Sequence, residues 1–78
     1  MNIEENVIKI IAEAINVEVN KIDEDTAIGD FPNWDSMEQL IIITSLEEKF
    51  DIKFDPEEIM EMEDVADMIE TIEKYINL

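Results

Sequence analysis

A small all-α bundle of four helices, three longer and one short, with a long loop between the first two, is the fold that this 78-residue sequence predicts. Three observations predict it. Apolar residues recur at three- and four-residue spacing through three long stretches. Acidic residues stand at the start of each periodic stretch, where a helix N-terminus favours them. No segment alternates long enough to form a strand, and the one candidate, Ile52-Lys53-Phe54, is short enough to be a turn.

The first helix is expected over Ile3–Ile15, with Ile3, Val7, Ile10, Ile11, Ala14 and Ile15 on one face and Glu4 and Glu5 in the first turn. A connection of nineteen residues, Asn16 to Trp34, follows, with the only glycine, Gly29, and the first proline, Pro32. So long a loop in so small a chain points to function. Val17, Val19, Ile22, Ile28 and Phe31 are expected to pin it against the helices. The second helix opens at Asp35-Ser36-Met37-Glu38 and runs to about Phe50. Asp35 with Glu38 resembles a capping box, and Ser36 with Gln39 offers a second register. The third is short, with Asp55 as its cap and Pro56 in its first position, and ends near Met62. The fourth runs from Asp64 to about Ile76 along an apolar stripe of Val65, Met68, Ile69, Ile72 and Ile76.

Composition narrows the function. Length predicts a single domain, residues 1–78, with a thin core. Apolar residues make up 46% of the chain, too many for a disordered acidic tail. Twenty-two acids against five lysines give a net charge of −17, which repels nucleic acid and anionic membranes and attracts basic protein surfaces. The absence of cysteine excludes disulfides and thiolate chemistry, and there is no histidine to activate a serine. Neither a signal segment nor a membrane-spanning run is present, so a cytoplasmic monomer is expected. An EF-hand reading fails: from Asp23 the fifth and sixth positions are Ala27 and Ile28, and from Asp51 the third and twelfth are Lys53 and Met62. No catalytic constellation and no metal site emerge.

On a wheel of about 100° per residue the second helix divides into two sides. Gln39, Ile42, Ile43, Leu46 and Phe50 form the core face, and Met37, Ile41, Thr44 and Glu48 face outward. Apolar residues on that outer face, ringed by acids beside Ser36, suggest a docking surface for a basic partner with an apolar centre. Ser36 fits two roles: a residue that caps or begins the helix, or an exposed hydroxyl where the helix N-terminus favours a phosphate on its oxygen.

These features resemble the acyl carrier protein family, including its peptidyl and D-alanyl carriers. Asp35-Ser36-Met37 is similar to the family's Asp-Ser-Leu/Met. Asp25-Thr26-Ala27-Ile28 and Asp30-Phe31 resemble the loop before it, and Leu46-Glu47-Glu48-Lys49-Phe50-Asp51-Ile52 resembles the end of its second helix. The resemblance covers nearly the whole chain. It implies a carrier, not an enzyme, on which a phosphopantetheinyl transferase esterifies Ser36 with 4′-phosphopantetheine. An acyl or aminoacyl group then rides as a thioester on that arm. The resemblance also implies that Asp35 helps position the transferase and its metal, and that Met37, Ile41, Thr44 and Glu48 form the partner-recognition stripe. Ile43, Leu46, Phe50, Phe54, Ile59, Met62, Met68 and Ile72 would line the interior against which some carriers fold a bound chain.

Two departures refine the implication. Fatty-acid carriers usually have glycine two residues before the motif's aspartate, where this chain has Pro32-Asn33-Trp34 leading into Asp35, and an acid where it has Ile41. Both lie where partners read the carrier. They point to a discrete carrier of a specialised pathway, D-alanyl transfer to wall polymers being one example. Such a carrier is loaded by an adenylating enzyme and emptied by an acyltransferase. The reading from another class is an acidic interaction module or inhibitor with no covalent cargo, which would need the acids but not the serine.

Overall fold

The computed structural model describes residues 2–76. In chain order they form α1 (Ile3–Ile15), one 3₁₀ turn (Val19–Lys21), α2 (Ser36–Phe50), α3 (Pro56–Glu61) and α4 (Val65–Ile76). These are the three longer helices that the periodicity predicts and the one short helix that Asp55 and Pro56 predict. Each start has a local cause. Asn2 accepts the Glu5 N–H on its side-chain oxygen at 2.9 Å, and Asp35 accepts that of Glu38 at 2.9 Å. Pro56 opens α3, where its fixed φ suits a first turn. Asp64 is expected as the first residue of the last helix but is its cap, its carboxylate accepting the Asp67 N–H at 2.8 Å. The ends of α1 and α2 are closed by Asn16 and Asp51 in the left-handed region, with φ of 58° and 54°.

The core sits where α1 packs on both α2 and α4. Val7, Ile11 and Ile15 of α1, Ile42, Ile43 and Leu46 of α2, and Val65, Met68 and Ile72 of α4 are all buried. Each such side chain contributes roughly 1.5–3 kcal/mol by leaving water. Phe54 and Met62 flank α3 and are buried as well, whereas none of the residues within α3 is. This short helix is held at its edges instead. Ile59 packs half-buried on the core, the Asp55 N–H donates to the Glu58 carboxylate at 2.9 Å, and the Tyr75 hydroxyl of α4 donates to the same carboxylate. The ring of Tyr75 meets that of Phe54 edge-on, with centroids 5.7 Å apart. Of the expected interior lining, Ile43, Leu46, Phe54, Met62, Met68 and Ile72 are buried, and Phe50 and Ile59 half-buried. Ile76, expected on the stripe of α4, is 46% exposed at the end of that helix.

The long connection is ordered by its backbone. The Val65 and Ala66 N–H groups, at the start of α4, donate to the carbonyls of Thr26 and Glu24, both at 3.0 Å, and Ile28 N–H donates to Glu63 at 2.9 Å. The loop therefore satisfies two of the N–H groups that a helix start leaves open. Ile22 is buried, and Val17, Ile28 and Phe31 are half-buried, as expected. Val19 is not: it is 55% exposed, because the 3₁₀ turn carries it to the outer flank of α1, beside Ile8 and Lys9. The deepest anchor of the connection is Trp34, with no exposed surface. Among the described residues no helix is long and apolar enough to cross a membrane.

Candidate functional site

The first turn of α2 brings together the residues that the sequence marks. Asp35 is extended (φ −102°, ψ −174°) and is the N-cap, and its main-chain carbonyl accepts the Gln39 N–H at 2.9 Å. Ser36 is therefore the first helical residue and not the cap. Of the two expected registers, Asp35 with Glu38 forms as a single cap bond without the reciprocal one from the Glu38 side chain, and Ser36 with Gln39 does not form, because the Gln39 side chain is used inside the molecule. The N–H groups of Ser36 and Met37 have no partner among the described residues. They lie beside an exposed Ser36 hydroxyl at the positive end of the α2 dipole. An ester phosphate on that oxygen would meet two open donors there, so the residues present fit the group.

A survey of the chain's five aliphatic hydroxyls separates Ser36 from the others. Thr26 is buried and exchanges hydrogen bonds with Asp23. Thr44 and Thr71 donate to the carbonyls one turn back, Leu40 and Asp67, at 2.9 and 2.8 Å. Ser45 is half-buried on α2. Ser36 alone is exposed while making no hydrogen bond to the described residues.

Behind Ser36 lies a polar chain that sequence reasoning missed. The Trp34 indole N–H donates to the Gln39 side-chain oxygen at 2.6 Å, and the Gln39 side-chain amide donates to the Met62 carbonyl at 2.7 Å. The loop feeds into it through Gly29, whose φ of 92° suits glycine and whose N–H donates to the Trp34 carbonyl at 3.0 Å. The core-face position of Gln39 on the wheel was the signal available, since an amide placed among isoleucines and leucine has to find partners.

The outward stripe is present. Met37 is 75% and Ile41 51% exposed, and Thr44 and Glu48 are exposed. Leu40, 58% exposed, joins it. The four-three-four spacing from Met37 passes over Leu40, although it lies three residues from Met37 and four from Thr44, on the same side of the helix. On α3, Met60 is 81% exposed.

Residues 5–72 match the family described as Phosphopantetheine attachment site. The chain is 37% identical over 73 residues to an acyl carrier protein of Buchnera aphidicola, an alignment spanning 94% of this chain and 91% of that one. It is 34% identical over 73 residues to one from Akkermansia muciniphila, with the same coverage of 94% and 91%. To one from Campylobacter lari it is 30% identical over 77 residues, covering 95% and 100%.

Proposed function

The chain belongs to the phosphopantetheine-attachment family, that of the acyl carrier proteins, and we propose that Ser36 is where it bears its 4′-phosphopantetheine. The group supplies a flexible arm ending in a thiol, to which an acyl group is joined as a thioester; the chain itself needs no cysteine for this. One observation carries the assignment: Ser36 is the exposed, uncommitted hydroxyl, standing at a helix N-terminus with two open N–H donors. With no histidine in the chain, the Ser36 proton leaves to a base supplied by the transferase. Asp35 uses one carboxylate oxygen on the Glu38 N–H, and its other oxygen is the contact for the transferase and its metal.

In this reading the chain performs no catalysis. It presents its cargo through Met37, Ile41, Thr44 and Glu48, with Leu40 among them. A loading enzyme that docks there needs an apolar depression edged with lysine or arginine, matching isoleucine and leucine set among carboxylates. Ile41 on that face, and Trp34 before the motif, favour a specialised acyl or aminoacyl pathway, with an adenylating enzyme loading the arm and an acyltransferase unloading it.

The test uses unmodified full-length protein, coenzyme A, magnesium and a broad-specificity phosphopantetheinyl transferase, read by intact mass. One phosphopantetheine should add to the wild type and none to Ser36→Ala. Addition to Ser36→Ala, or none to the wild type, removes the assignment.

A further inference from the structure

We infer that Gln39, acting through Trp34, is a positioning residue that holds Ser36 in the orientation a transferase can use. The inference rests on the reading of Ser36 given above. Both ends of the Gln39 amide are engaged, its oxygen by the Trp34 indole N–H at 2.6 Å and its NH₂ by the Met62 carbonyl at 2.7 Å. All of this is buried: Trp34 is 0% and Gln39 7% exposed. A buried amide paired at both ends has nowhere to relax, since releasing either bond strands a polar group away from water.

The placement of the two bonds matters more than their number. Trp34 stands two residues before Ser36 and Gln39 three after it, so the indole–amide bond closes a loop around Asp35 and Ser36. The second bond fixes that loop to the segment leaving α3, a helix with no buried residue of its own. Helix capping does not require either bond, because Asp35 already caps α2. Burial does not require glutamine either: an apolar residue at position 39 would complete the face of Ile42, Ile43 and Leu46. What the glutamine adds is a fixed direction for the turn that carries the hydroxyl.

Without this brace the Trp34-Asp35-Ser36 turn would sample several orientations, of which a transferase accepts a fraction. Apparent affinity falls by that fraction, while the rate once bound is unchanged. The variants are Gln39→Met, which removes both bonds at similar volume, and Trp34→Phe, which removes the indole donor and part of a buried ring but leaves the Gln39–Met62 bond. Each is assayed as the unmodified full-length chain with a broad-specificity transferase, coenzyme A and magnesium. The expected result is a KM for the carrier raised about fivefold or more, the factor one ordinary hydrogen bond is worth, with kcat within about twofold of wild type. Trp34→Phe decides the matter if Gln39→Met does not fold. Variants that melt earlier but keep the wild-type KM and kcat would reduce Gln39 to a structural residue and overturn the inference. Wild type modified at Ser36 with unchanged variants sinks this inference alone; modification that persists in Ser36→Ala sinks the assignment of Ser36 and the inference with it.

Discussion

Ile41 and Leu40 stand next to each other on the outer face of α2, 51% and 58% exposed, while Ile42 and Ile43, their immediate successors, have almost no exposed surface. Four consecutive large apolar residues thus divide between two tasks, and helical geometry alone separates them. The wheel assigned Ile41, Ile42 and Ile43 to their sides because three residues of a known period suffice for that. A wheel does not reach Trp34, which belongs to no periodic stretch, and the expectation that Val19 anchors the loop fails because valine in a loop carries no direction. Ile41→Glu should leave stability within about 0.5 kcal/mol, as a change at the surface does. The same substitution should weaken loading by the cognate enzyme, because a carboxylate would enter the apolar centre of the contact. A denaturant melt paired with loading kinetics checks both. A loss of several kcal/mol in the melt would mean that Ile41 supports the core, and unchanged loading would mean that the face is not read.

At the scale of elements, α3 is the part held by polar contacts in place of burial. The Tyr75 hydroxyl on the Glu58 carboxylate holds the pKa of Glu58 below its usual 4.5, helped by the Asp55 N–H. The same hydrogen bond pushes the Tyr75 phenol above its usual 10.0. The two shifts set the limits of the tie. The Glu58 contribution is present above the usual carboxylate value and is lost as pH falls through the lowered one. The Tyr75 contribution is present below the usual phenol value and is lost as pH rises through the raised one. The tie is therefore complete around neutrality. Tyr75→Phe keeps the ring against Phe54 and removes the hydroxyl, so Glu58 should titrate closer to 4.5 by NMR. The stability gap between variant and wild type should close in strong acid, and a gap of constant size across pH would contradict the tie. The existence and order of the helices were legible because apolar residues recur at helical spacing in the long ones and acids or a proline mark the starts. The pairing of Thr26 and Glu24 carbonyls with the first turn of α4 was not, because backbone groups far apart in sequence leave no side-chain pattern.

Over the whole molecule the dominant quantity is the net charge of −17, with 14 of the 22 acids from Trp34 onward. Five lysines cannot neutralise it. Its effect reaches single groups: Glu24 has a raised pKa, chiefly through the hydrogen bond its protonated carboxyl donates to Glu4 and the charge of that neighbour. A carboxyl raised in the folded state favours folding below its usual value, and that advantage is lost as pH rises through the raised one. Added salt, or magnesium at millimolar concentration, should therefore raise the melting temperature by screening or pairing the acids. A melting temperature indifferent to both would mean that the fold already offsets its charge. The same charge attracts basic partners without fixing where cargo is attached; the attachment at Ser36 does that. Its most direct test is peptide mapping by mass spectrometry of the protein isolated from its native host. Trypsin releases Ile22–Lys49, which holds Ser36 and Ser45 together with Thr26 and Thr44. One phosphopantetheine is expected on this peptide, localised to Ser36 by fragmentation; the group on Ser45 or a threonine, or on no residue of the chain, would contradict the assignment of Ser36.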